Sequence, residues 1–106
     1  MVARGDIWLA RLDPTVGSEI RKTRPCLIIS PPEIHDHLRT VLVAPMTTGN
    51  KPAPYRIPIV FGGEKGLVLL DQIRALDKTR LVKRLGKANS KTTATALETL
   101  RAVFAI

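Results

Sequence analysis

Residues 23–30 read TRPCLIIS, with an arginine and a proline directly ahead of an apolar, β-branched run. Such a run has the composition of a buried strand. Pro25 cannot donate to a ladder, so it is expected at the start of a strand over 26–30, and Pro31 and Pro32 end that strand. A fixed positive charge therefore stands at a buried strand's mouth. Arg24 reads either as a surface cap or as a charge that faces a substrate.

Outward from this strand, short apolar runs alternate with turn signals, the pattern of a compact β-rich domain. A strand is expected upstream over 6–12, followed by a long polar loop over 13–23 that carries Pro14 and Gly17. Downstream, 33–38 reads as a short turn or helix, TVLVAPM (40–46) as a third strand and TTGNKPAP (47–54) as a loop. YRIPI (55–59) is a fourth strand with edge character from Pro58, GGEKG is a turn, and GLVLLDQI (66–73) is a fifth strand. RLVKRLG (80–86) reads as a sixth, charged as edge strands often are. The apolar period then changes. Ser90 is the expected N-cap of a helix, with Thr93, Ala96, Leu97, Leu100, Val103 and Phe104 on one side and Thr95, Glu98 and Arg101 on the other. These elements predict a small curved antiparallel sheet or partly open barrel, closed by a C-terminal helix.

A chain of 106 residues has room for one core, so residues 1–106 are expected to form a single domain. No apolar run approaches the roughly 20 residues of a membrane span, and MVARGDIW lacks a signal-peptide plan. The single cysteine, Cys26, excludes an internal disulfide and a thiolate zinc cluster, and reads as a small buried strand residue. A reducing cytoplasm is the expected location. The net charge of +8 favours a polyanionic partner: nucleic acid, an anionic membrane or an acidic protein. No strongly basic amphipathic helix is readable, which puts the membrane behind the other two.

If the strand after Arg24 pairs with the strand before Thr47, both residues reach one rim. Arginine suits a phosphate there, because its planar fork donates two parallel hydrogen bonds and keeps its charge. A threonine hydroxyl donates and accepts in the same region.

Five segments, in order, resemble the MazF/PemK family of toxin endoribonucleases: RGDIW (4–8), LDPTVGSE (12–19), TRPCLIIS (23–30), VAPMTT (43–48) and GLVLLDQIRALD (66–77). The resemblance implies a mainly β fold with a C-terminal helix, an SH3-like barrel of about five to six antiparallel strands. It implies a homodimer that cleaves single-stranded RNA at short sequences without metal or cofactor. Attack by the substrate's own 2′-hydroxyl would leave a 2′,3′-cyclic phosphate and a 5′-hydroxyl. An acidic antitoxin is the implied inhibitor, and promoter DNA would be reached through it.

By the same resemblance, the catalytic residues are Arg24, Thr47 in its Pro-x-Thr context, and Glu19. Glu19 is one candidate for the general base; a water or Arg24 itself are the others. RNA contacts are expected at Arg21, Lys22, Thr48 and Lys51, and at Tyr55, Asp71 and Gln72. Tyr55 reads alternatively as a packed strand residue, and Trp8 as core or interface. The departure from the family pattern is EIRKT at 19–23, where many members have glutamine and glycines after the glutamate. Ile20 cannot make a glutamine's hydrogen bonds. His35 and His37 read as solvated turn residues, against a metal or acid–base role. Lys78, Arg80, Lys83, Arg84 and Lys87 form either an RNA-attracting patch or a soluble edge. Two rival functions remain: a gyrase poison resembling CcdB, for which the ending AVFAI is a loose echo, and a noncatalytic nucleic-acid-binding barrel.

Overall fold

The computed structural model describes residues 1–49 and 51–106. Residue 50, inside the loop expected over 47–54, lies outside them. Seven strands form the sheet: β1 (Asp6–Arg11), β2 (Thr23–Ile28), β3 (Thr40–Thr48), β4 (Arg56–Phe61), β5 (Glu64–Leu69), β6 (Arg74–Asp77) and β7 (Leu81–Lys87). A one-turn helix, α1 (Pro32–His35), follows β2, and α2 (Ser90–Phe104) ends the chain. The strands run antiparallel in the order β4-β5-β3-β2-β1-β7.

Strand β3 organises this sheet. One edge pairs with β2 through Val43–Pro45. The other edge is divided: Thr40–Val43 pair with β6, and Met46–Thr48 pair with β5. Two partners thus leave one strand at different points, and the sheet turns between them. The two outer strands of the path meet where the Phe61 ring of β4 lies over Gly86 of β7. A Cβ at Gly86 would stand 2.9 Å from that ring.

The expected mainly β barrel with a C-terminal helix is therefore present. Its seventh strand comes from GLVLLDQIRALD, which is not one strand. Leu70–Gln72 form a 3-10 turn, and the chain resumes pairing as β6. An apolar run buried on both faces has no alternation to mark such a break. Strand β2 starts at Thr23 rather than after Pro25, and its pairing with β3 begins at Cys26.

Both faces of the central strands are covered. Leu27, Ala44, Met46, Ile57 and Val68 pack with Ala96 and Leu100 of α2. Cys26, Ile28, Val41 and Val43 pack with Ala10, Leu12 and Leu76 on the other side. Burial pushes the Cys26 thiol up to about 12, against the opposing influence of the Arg74 charge. Asp6 ties β1 to β7. Its buried carboxylate accepts from Trp8 Nε1 at 3.4 Å and the Ala3 amide at 3.0 Å, and pairs with Arg84 at 3.2 Å.

Three local expectations change. The α2 N-cap is Asn89, whose side chain accepts from the Thr92 amide at 2.7 Å, one residue before Ser90. The helix buries Ala96 and Leu100, but Val103 and Phe104 stand off the sheet, with Phe104 70% exposed. His35 is buried rather than solvated, because its Nδ1 is 2.9 Å from Ser30 Oγ and Lys78 donates to its backbone carbonyl. His37 is exposed.

Candidate active site

The β2–β3 register sets Cys26 opposite Pro45. Two residues further toward this end of the sheet stand Arg24 on one strand and Thr47 on the other. Strand β5 pairs next to them, with Leu67 opposite Thr47 and Gly66 opposite Thr48. Arg24, Thr47, Thr48, Phe61, Glu64 and Lys65 are among the residues lining one cleft of about 110 Å³.

Arg24 is half-buried, and its Nε donates to the Arg21 carbonyl at 3.3 Å. The two terminal nitrogens of the fork make no hydrogen bond among the described residues. A cation directed by one nitrogen and open at the other two is arranged to take an oxyanion. Thr47 is half-buried beside it and Thr48 is exposed. Both lie on β3, not in the loop expected from residue 47, so a ladder fixes their backbone.

Gly66 secures that ladder. A Cβ at position 66 would stand 2.5 Å from the Thr47 carbonyl oxygen, closer than any real contact. Gly66→Ala is expected to cost about 1–3 kcal/mol and to push β3 away from β5 at Thr47. A lowered urea midpoint and larger amide shift changes around Thr47 than elsewhere would be the measured signs.

Glu19 is not in this cleft. It lines a second one, of about 360 Å³, with Ile20, Asp71, Gln72 and Arg74 among its neighbours. The Glu19 carboxylate turns back on its own loop, accepting from the Val16 amide at 2.6 Å. Asp71 is engaged by Arg56, whose Nε and one terminal nitrogen reach its two oxygens at 3.0 and 2.9 Å. That fork holds the Asp71 carboxyl below the usual carboxylate range. Gln72 Oε1 accepts from the Ile20 amide at 2.8 Å, and Arg74 donates to the Leu12 carbonyl at 3.1 Å. The loop between β1 and β2 is thus tied to the end of the β5 segment. Ile20 also packs against the core around Leu12 and Cys26.

Arg21 and Lys22 are exposed on this loop, and Lys22 has a φ of 69°. Its carbonyl accepts from the Leu12 amide at 2.9 Å, closing the loop's neck. Lys51 is exposed and lines neither cleft. Tyr55 is a turn residue with φ of 66° and 44% exposure, not a packed strand residue, and its carbonyl accepts from the Leu70 amide at 2.8 Å. Of the basic group near β7, Lys78, Arg80 and Arg84 serve internal contacts, to His35, Asp13 and Asp6. Lys83 and Lys87 are exposed.

The cleft residues that sequence reading missed are Phe61, Glu64 and Lys65. Their signal is Gly62-Gly63, both at positive φ (60° and 79°), which join β4 to β5 as a two-residue hairpin. That turn starts β5 at Glu64, and pairing of Gly66 with Thr48 brings 64 and 65 to the rim. Among the described residues, no three His, Cys, Asp or Glu side chains are grouped to hold a metal ion, and no helix is long and apolar enough to cross a membrane.

Residues 3–104 match the family described as the PemK-like, MazF-like toxin of type II toxin–antitoxin systems. A Staphylococcus epidermidis protein named endoribonuclease MazF is 40% identical over 93 residues, covering 80% of this chain and 76% of that one. The crystal structure of MazF from Deinococcus radiodurans superposes with a TM-score of 0.82 at 26% identity, covering 98% of this chain and 96% of that one. A MazE–MazF structure from the same organism gives a TM-score of 0.78 at 25% identity, over 96% and 94% of the two chains.

Proposed function

Because the chain belongs to the PemK-like, MazF-like toxin family of type II toxin–antitoxin systems, we propose that it is an endoribonuclease toxin, cutting single-stranded RNA in the cytoplasm without a metal. The supporting observation is the cleft in which Arg24, whose two terminal nitrogens make no hydrogen bond among the described residues, stands beside Thr47 at one end of a paired β2–β3 ladder.

RNA carries its own nucleophile next to each phosphorus, so proximity is already provided. The ribose 2′-oxygen bonds to phosphorus as its proton passes to water, and the bond from phosphorus to the 5′-oxygen breaks as that oxygen takes a proton from water. Negative charge builds on the nonbridging oxygens meanwhile, and the Arg24 fork meets it. The Thr47 hydroxyl orients the phosphate. The products are a 2′,3′-cyclic phosphate and a 5′-hydroxyl. The test is to incubate the protein with a long RNA in excess chelator and characterise the new ends. Intact RNA, or ends with a 5′-phosphate, would sink the proposal.

The partner is an acidic antitoxin. The +8 charge of this chain favours one, and a related MazF has been solved together with MazE. Promoter DNA would be reached through that antitoxin.

The active form is a homodimer. Its basis is an apolar groove of about 740 Å³ beside α2, where Phe104 is exposed and Leu42, Ile73 and Leu97 are half-buried. An exposed apolar surface of this kind marks an association site. Light scattering at micromolar concentration should give twice the chain mass, and Phe104→Asp should give the monomer mass. A monomer in the unmutated protein would count against the dimer.

A further inference from the structure

We infer that Gln72 is a positioning residue for Arg24, acting through the loop between β1 and β2 rather than by touching RNA. The inference rests on the proposed role of Arg24.

The connection is a short relay. Gln72 Oε1 accepts from the Ile20 amide at 2.8 Å, across 52 residues of sequence. The next residue, Arg21, presents its carbonyl to Arg24 Nε at 3.3 Å. Lys22 follows at φ 69°, and its carbonyl closes the loop neck on the Leu12 amide. The Arg21 carbonyl is therefore held from both sides. One side is the Ile20–Gln72 bond, and the other is the Lys22–Leu12 bond.

That carbonyl decides where the fork points. An arginine side chain has several freely turning bonds, and a single acceptor on Nε removes most of that freedom. With Nε committed to Arg21, the terminal nitrogens face outward as a pair, the arrangement a phosphate takes bidentately. Without the Ile20–Gln72 bond, the half-buried Ile20 loses its amide's acceptor, and the exposed residues on either side of it let the loop segment move to regain one in water. The Arg21 carbonyl then moves with it. Misplacement of a reacting group by about 1 Å can cost 10²-fold in rate.

The geometry also argues against Gln72 as a base reader. One lone pair of its amide oxygen already serves Ile20, a bond that holds the side chain toward the loop. The residue is half-buried and its neighbour Asp71 is bound to Arg56.

The test uses Gln72→Leu, which removes the acceptor, and Gln72→Glu, which keeps an oxygen in the same place. Two readouts apply. In the first, the Arg24 Nε–H resonance is followed by NMR in the free protein and identified by its absence in Arg24→Lys. It should shift toward the solvent-exposed position in Gln72→Leu and stay in place in Gln72→Glu, with the amide spectrum of the core unchanged in both. In the second, RNA cleavage by Gln72→Leu should show kcat reduced about tenfold to a hundredfold with KM little changed, and Gln72→Glu should restore kcat. An Nε–H resonance that stays put in Gln72→Leu overturns the inference. So does a raised KM at unchanged kcat in that variant, the pattern of a lost RNA contact. The first readout needs no ribonuclease activity, so it stands even if the protein cuts no RNA.

Discussion

Arg24→Lys is expected to cut RNA about 10²–10³ times more slowly than the unmutated protein, the typical cost of losing one preorganised donor. The charge is retained, so electrostatic attraction of RNA changes little. What disappears is the fork. Lysine has one ammonium, which cannot hold Arg21's carbonyl and two phosphate oxygens in a fixed plane. Single-turnover kinetics should place the loss in the chemical step, with substrate affinity near its original value. Thr47→Ala should lose more than Thr48→Ala, since Thr47 is half-buried beside Arg24 and Thr48 is exposed. Near-normal cleavage by the lysine variant, at unchanged thermal stability, would remove Arg24 from the chemistry. The opposite order of the two threonines would shift the site by one residue.

Removing a single oxygen from the substrate should have a still larger effect. An RNA in which only the ribose before the cut is replaced by deoxyribose should not be cleaved at all. On the proposed mechanism the 2′-hydroxyl is the nucleophile, and it is also the group by which a protein distinguishes RNA from DNA. Binding should persist, because phosphate contacts and base stacking remain. The substituted strand would then compete with cleavable RNA as an inhibitor. Efficient cutting of that strand would mean that the attacking group comes from elsewhere.

The ladder was more legible in the sequence than the loops were. TRPCLIIS and TVLVAPM announce buried strands by composition, and their pairing follows from adjacency, so Arg24 and Thr47 could be set on one rim. Thr47 and Thr48 themselves read as loop, since a threonine pair before Gly49 looks the same whether or not a third strand pairs with it. The 3-10 break at Leu70–Gln72 was hidden inside an apolar run. Glu19 was expected with Arg24 and Thr47, but the direction of a loop carboxylate depends on a bond to Val16 that no periodicity reports. Gln72 was expected to contact RNA, yet its oxygen serves an amide 52 positions away. Phe61, Glu64 and Lys65 were within reach, because two successive glycines specify the hairpin that brings them to the cleft.

The closure of the sheet by its last strand bears on when this protein can act during its own synthesis. A ribosome adds roughly 5–20 residues each second, and Arg24 and Thr47 emerge early. β1, however, is flanked on one side by β7, whose residues 81–87 are made near the end. Until they emerge, Phe61 in the cleft wall lacks Gly86 behind it, and the core lacks Ala96 and Leu100. A nascent chain therefore carries Arg24 and Thr47 without the frame that aligns them. If the cleft cuts RNA as proposed, the order in which the strands are made holds that activity back until the last strand and helix are in place.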